Sequence, residues 1–298
     1  MKTAYFLLNL PKIYDLIYVV KIFSRMGYER MMRIRFHLAG CVDAEEGEVL
    51  LEENVMVTKS GKMHIDEADW QVPVSGTVYG TLFNFKGALA AMGNKLHQPP
   101  YQRPPEAPIL YIKPKNTYTA HRQPIPLPPE VDQVVIGASL GVVIGQTASR
   151  VSEEEALHYV EGYTIVNDVS LPHQSVYRPP VVYNGRDGFC PIGPWVVQRE
   201  SVSNPDRLSI SVYINEQLVQ ENTTANLIRP IPQLIAEVSQ FMTLFPGDIL
   251  MVGIPEHAPL AKDGDQVRIQ IEKVGSLQNQ VLKRSETTDW IKLKEEKE

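Results

Sequence analysis

The sequence predicts a mainly β protein of the α+β class, from three observations. Short runs rich in Val, Ile, Tyr and Thr, bounded by Gly, Pro or Asn-Asp, recur along most of the chain. Only two or three segments carry helical spacing. Ten prolines between Pro99 and Pro129 remove so many backbone donors that helices are excluded there and long central strands are disfavoured. At 298 residues with 43% apolar content, the chain can bury a sizeable core in one large domain or two unequal ones.

The elements follow in order. Residues 1–31 are apolar at first, but Asn9, Pro11, Lys12 and Asp15 interrupt the run, so nothing approaches the ~20 uninterrupted residues that cross a bilayer. No small-residue cleavage site follows a clean apolar segment. This stretch reads as an extension, and strand alternation begins at Met32. "RIRFHLAG" and "EVLLEENVMVT" then form a small N-terminal sheet module over 32–75, with Pro73 and Gly76 marking its boundary. A main domain over 76–284 opens with the strand "GTVYGTLFNF", and "ILYIKP" is a short strand ending in Lys113. "QVVIGASLGVVIG" is a nearly continuous apolar run, a buried strand bent at its glycines.

"SEEEALHYVEGY" predicts a short helix, with Ser152 and Glu155 at capping-box spacing and Gly162 as its stop. "YTIVNDVSL" returns to strand and "RLSISVYINEQLVQE" is a hairpin turning near Asn215. "IPQLIAEVSQFMTL" has apolar residues at helical spacing, and "GDILMVGIP" and "GDQVRIQIEKVGSL" give two further strands after Gly-Asp turns. Residues 285–298 are a charged tail, and no repeat of 20 to 50 residues stands out.

Composition excludes several function classes. The formal charge is −6 and the basic residues are scattered, so the attraction to phosphate that nucleic acid or anionic membrane surfaces require is missing. Cys41 and Cys190 are too few for a disulfide framework or a zinc knuckle, which makes a reducing cytoplasm the simplest compartment. No dinucleotide or phosphate-loop glycine pattern is present, and "GASLG" lacks the spacing of a nucleophile elbow. Cys190, apolar and Pro-flanked, reads as inert packing.

Polar residues near strand ends carry more information: Lys113, Asp168, His173, Arg178, Arg186, Asp187, Glu256 and His257. Gathered by a fold, the cationic ones would suit a small dicarboxylic acid and a developing enolate. Taken singly, each is at least as well explained as a surface ion pair. Asp168 remains open at this level as metal ligand, acid or turn residue.

From about Gly76 to Val281 the chain resembles the fumarylacetoacetate hydrolase family. Six motifs in order carry the resemblance: "GTVYGTLFNF", "YIKPKNTY" like the family's Phe-x-Lys-Pro, "GVVIG", "VEGYTIVNDVS", "DGFCPIGPWVV" and "MTLFPGDILMVGIP". Within the family it resembles in particular the amino-terminal half, or separate subunit, of the isomerase/decarboxylases of 4-hydroxyphenylacetate catabolism, through "GQTASRV", "VSLPHQSVYRPP" and "RDGFCPIG".

The resemblance implies a mixed β-roll with a small N-terminal sheet domain, a homodimer or a heteromer with a homologous subunit, and action on a small dicarboxylic oxo or enol acid at one Mg²⁺ or Mn²⁺. It further implies Lys113, Arg178 and Arg186 as substrate-binding and catalytic residues and Asp168 as a metal ligand. Other family members of the same type would be acylpyruvate hydrolases or oxaloacetate tautomerases, and a silent structural subunit is a further alternative.

Family members hold the metal with this aspartate and with a Glu-x-Glu pair, but the pair's positions are Gly137 and Ser139 in this chain. Two of three anionic charges that offset dehydration of the ion are thus missing, so tight metal binding by this chain alone is not expected. The family's early histidine falls on Ala88, and the usual lysine before the Asp-x-Phe turn falls near Asn184. The expectation is a half-site whose homologous partner carries the acidic ligands.

Overall fold

The computed structural model describes residues 31–173 and 181–283. Its strands are β1 (Met32–Phe36), β2 (Glu45–Leu50), β3 (Val55–Thr58), β4 (Gly61–His64), β5 (Val78–Leu82), β6 (Ile109–Lys113), β7 (Tyr118–Thr119), β8 (Ile125–Leu127) and β9 (Gln133–Val135). There follow β10 (Ala138–Ile144), β11 (Val160–Asn167), β12 (Cys190–Gln198), β13 (Ser209–Ile214), β14 (Gln217–Thr223), β15 (Ile249–Met251), β16 (Leu260–Lys262), β17 (Gln266–Ile271) and β18 (Gly275–Lys283). Among the described residues three short α-helices accompany them, α1 (Lys86–Ala90), α2 (Val181–Asn184) and α3 (Ile231–Ser239). The mainly β class is as the sequence predicts.

The large sheet runs in the order β4-β3-β2-β1-β12-β11-β10-β15-β5-β6, and β7 pairs in parallel with β12. In a flat sheet β6 would lie four strand spacings, ~19 Å, from β11. The sheet instead curls into a roll. β7, directly after the 3-10 turn Lys115–Thr117 that follows β6, returns to β12 and pairs Tyr118 with Cys190. The Tyr118 hydroxyl reinforces the closure, accepting from Val78 N at 2.9 Å and donating to Gly76 O at 3.2 Å. The inner face of the roll is lined by Val78, Val143, Val166, Cys190, Ile192, Val196, Ile249 and Met251. The strands β1–β4 of the N-terminal module continue this same sheet, because β1 pairs with β12.

A five-stranded sheet, β14-β13-β17-β18-β8, packs over the outside of β10–β12 and encloses the larger core. Trp195 of β12 spans the two layers, donating from its indole nitrogen to Val274 O at 2.8 Å. Its ring lies on Gly275, where a Cβ would come within 2.9 Å of it and φ is +127°, so only glycine fits. Trp70 stacks edge-on against Trp195, Phe36 and His121.

Helix α3 forms where the spacing predicts one: Ile231, Leu234, Ile235 and Val238 are buried along one stripe, and Pro residues occupy the first turn, where no donor is needed. The hairpin at Asn215 also forms, with Asn215 and Glu216 both at positive φ. The helix expected at 152–161 does not form. Ser152 Oγ does accept from Glu155 N at 3.3 Å, but only a single 3-10 turn, Ala156–Tyr159, follows. Gly162 is not a helix stop. It lies inside β11, where a Cβ would sit 2.0 Å from Val197 O, so it is glycine because β12 approaches closely. Pairing of β11 with both neighbours outweighs one turn of local helix preference. "EVLLEENVMVT" and "GDQVRIQIEKVGSL" are each two strands, turning with Asn54 and Lys273 at positive φ.

His121 is buried among these aromatics and accepts from Gln278 N at 3.1 Å. Burial, assisted by the Arg122 charge, pushes its pKa down to about 3 from an ordinary value near 6.5, so the folded protein keeps it neutral. The unfolded chain takes up that proton from about pH 6.5 downward, and stability is lost as pH falls from there toward 3, at up to ~1.4 kcal/mol per pH unit. Urea denaturation at pH 7, 6 and 5 measures that slope, and His121→Gln, which keeps an acceptor but cannot charge, flattens it.

Candidate functional site

The curl of the sheet brings β6 to the end of β11. Tyr111 and Lys113, two apart on β6, point to the same side of the strand, opposite Gly80 and Val78 of β5. The Tyr111 ring lies flat against Gly80, where a Cβ would fall 2.1 Å from its Cζ, so the absence of a side chain at position 80 makes room for the phenol.

Lys113 is fully buried and its ammonium lies 2.8 Å from Asp168 Oδ1. Its hydrogen bonds are aimed at two main-chain carbonyls, Asn184 O at 2.7 Å and Val169 O at 3.1 Å, so the contact with Asp168 is an ion pair without an aligned hydrogen bond. The second carboxylate oxygen accepts from the Tyr111 hydroxyl. Burial, and then the Asp168 charge, raise the Tyr111 pKa well above its ordinary value, so the phenol stays protonated and acts as a donor. Cys190 lies near the same group. Its thiol is pushed up to about 12 by burial, which leaves it unreactive as the sequence predicts.

Asp168 is fixed by its backbone as well, through a bond from Asp168 N to Gly137 O at 2.8 Å, while Gly137 N donates to Asn167 Oδ1 at 3.1 Å. The two strands approach so closely here that a Cβ on Gly137 would lie 2.5 Å from Asp168 O and 2.9 Å from Ile254 Cδ1. Ser139 is fully buried and spends its hydroxyl on Leu140 O at 3.3 Å.

The residues present do not fit a divalent ion. Asp168 is the one carboxylate left of three, and with Lys113 it already forms a neutral pair. A dication added beside that pair would leave about two uncompensated positive charges in a buried site, a cost of several kcal/mol per charge. Among the described residues no group of three His, Cys, Asp or Glu side chains could hold a metal.

The structure brings Lys113 and Asp168 together. Arg186 lies on the loop after α2, donating to Val182 O at 2.9 Å and to Glu130 Oε1 at 2.7 Å, and remains partly exposed. Arg178 lies outside the described residues. His173 stacks on Tyr183 and Asp187 accepts from Asn116. Glu256 accepts from Asn222 at 3.2 Å and packs its carboxyl group against Gly87 of α1, next to Ala88. Sequence reasoning missed Tyr111. Its signal was present, since it stands two residues before Lys113 on one strand, but only the curl of the sheet makes Asp168 its partner.

Lys113→Met keeps the apolar stem and removes the charge, leaving Asp168 buried without its counter-ion. A loss of about 3–5 kcal/mol of folding stability is expected, read by chemical denaturation at pH 7.

Residues 77–282 match the family model described as fumarylacetoacetate (FAA) hydrolase C-terminal. The chain is 38% identical over 232 residues to the 4-hydroxyphenylacetate degradation bifunctional isomerase/decarboxylase of Salmonella dublin, covering 77% of this chain and 52% of that protein. It thus spans about half the length of the curated relatives of this type that it matches. Among solved structures, the 5-carboxymethyl-2-hydroxymuconate delta-isomerase of Mycobacterium smegmatis superposes with a TM-score of 0.70 at 27% identity, over 86% of this chain and all of that one. The maleylpyruvate hydrolase of Sphingobium sp. SYK-6, solved with manganese(II) and pyruvate, shares the fold at 23% identity and a TM-score of 0.68, over 85% of this chain and all of that one. Among the described residues no helix is long and apolar enough to cross a membrane. With a family model matched over most of its length and the roll in place, the chain belongs to the fumarylacetoacetate hydrolase family.

Proposed function

We propose that the chain is a subunit of an isomerase/decarboxylase acting on ring-cleaved dicarboxylic 2-oxo and enol acids of 4-hydroxyphenylacetate catabolism. In this reading it works beside a homologous subunit that retains the acidic metal ligands. The observation that carries it is the state of Asp168: its Glu-x-Glu companions are Gly137 and Ser139, and its carboxylate faces Lys113 and Tyr111. The matched segment covers only about half of the isomerase/decarboxylase relatives, which leaves room in them for a second, complementary half.

Decarboxylation of such an acid places the electron pair of the broken C–CO₂ bond in a conjugated enolate. Isomerisation then moves a proton from the dienol oxygen to carbon. Cationic groups lower the energy of the enolate and hold the carboxylates in place. Lys113, with all its acceptors supplied by the protein, is assigned to holding Asp168. Arg186, partly exposed, is assigned to a substrate carboxylate, with Arg178 as a second candidate.

The test is metal analysis together with decarboxylation and tautomerisation assays on the chain alone and mixed with a homologous Glu-x-Glu subunit. The expected result is no stoichiometric Mg²⁺ or Mn²⁺ and little turnover alone, and turnover on mixing. One equivalent of metal with full activity in the isolated chain would instead support a stand-alone hydrolase or tautomerase. In the assembled enzyme Arg186→Ala is expected to raise KM about tenfold, the order of one lost charge-assisted hydrogen bond. An unchanged KM would favour a silent supporting subunit, the reading to which the complete burial of Lys113 also points.

A further inference from the structure

We propose that Tyr111 and Lys113 together take the place of a divalent cation at Asp168, and that Tyr111 is the positioning residue that makes this half-site independent of metal. The inference rests on the half-site reading above and deepens it. A lone buried carboxylate needs positive charge or donors on both oxygens. Here Oδ1 faces the Lys113 ammonium at 2.8 Å and Oδ2 accepts from the Tyr111 hydroxyl.

Three features show that the arrangement is built into the chain. The phenol stands where the family motif has phenylalanine, so its hydroxyl is an addition at a strand position that, like that of Lys113, reaches Asp168. Gly80, directly opposite in the β5–β6 register, leaves the space the ring fills. Gly137 lets the entry to β10 close onto the Asp168 carbonyl, and Ile254 covers it, so the space of a ligand side chain is taken. The pair is neutral as it stands, and the phenol adds a donor without adding charge. Returning glutamate to position 137 would therefore collide with the backbone of Asp168 and would not rebuild a metal site.

The test uses the isolated full chain, without substrate. Thermal midpoints are compared for wild type, Tyr111→Phe, Asp168→Asn and the double variant. Mn²⁺ is titrated into each and followed by electron paramagnetic resonance. Tyr111→Phe is expected to lower the midpoint by several degrees in the wild-type background and to change it little once Asp168 is Asn. Wild type is expected to leave millimolar Mn²⁺ free. Tyr111→Phe/Lys113→Met, which strips both partners from the carboxylate, is expected to lower the midpoint further than Tyr111→Phe alone, and a further Asp168→Asn to recover part of that loss.

Stoichiometric Mn²⁺ on wild type, an equal effect of Tyr111→Phe in both backgrounds, or a folded Tyr111→Phe/Lys113→Met chain that a further Asp168→Asn does not stabilise would each overturn the proposal. Should the variant without Lys113 fail to fold, the cycle of Tyr111 and Asp168 decides alone. No step depends on a partner subunit, so an equal effect of Tyr111→Phe in both backgrounds leaves the assembly reading standing, and failure to find a partner leaves this one standing.

Discussion

One buried ion pair, Lys113 with Asp168, joins the edge strand β6 of the curled sheet to the end of its interior strand β11. The residues belong to elements four strand positions apart, and their charges meet only because β7 returns to β12 and closes the roll. An unpaired ammonium or carboxylate in this interior would cost several kcal/mol, so the pair and the curvature require each other. Lys113 reinforces the closure by bonding the carbonyls of Val169 and Asn184, which ties β6 to the segments flanking β11 and β12.

Around that pair the site is organised by exclusion. Gly80 and Gly137 carry no side chain because Tyr111 and the Asp168 backbone occupy the space a Cβ would need. Ser139 turns its hydroxyl to the neighbouring carbonyl, and Ile254 lies over Gly137. The result is a polar cluster whose charges cancel internally. A family site built on three carboxylates has the opposite balance, an excess of negative charge that a dication neutralises. Loss of two carboxylates and gain of a phenol therefore belong to one electrostatic change.

Much of the site was legible in the sequence. The Asn-Asp-Val-Ser and Lys-Pro motifs marked Asp168 and Lys113, and the missing Glu-x-Glu was visible at Gly137 and Ser139. Tyr111 was not found, because periodicity places it on the face of Lys113 without saying what that face meets. The helix expected at 152–161 failed for a related reason. Its cap and its terminal glycine are genuine local signals, yet Gly162 serves the close packing of β11 on β12, a contact about 35 residues distant in the chain.

By itself the sequence determined the mainly β class, the family, the positions of helix α3 and the Asn215 hairpin, and the loss of two carboxylate ligands. These follow from local propensity, turn chemistry and residue identity, all of which act over a few positions. Only the tertiary structure decided what Asp168 does. Its partners come from β6, more than fifty residues earlier, and strand closure is what carries them across the sheet to a carboxylate that cannot stay buried alone.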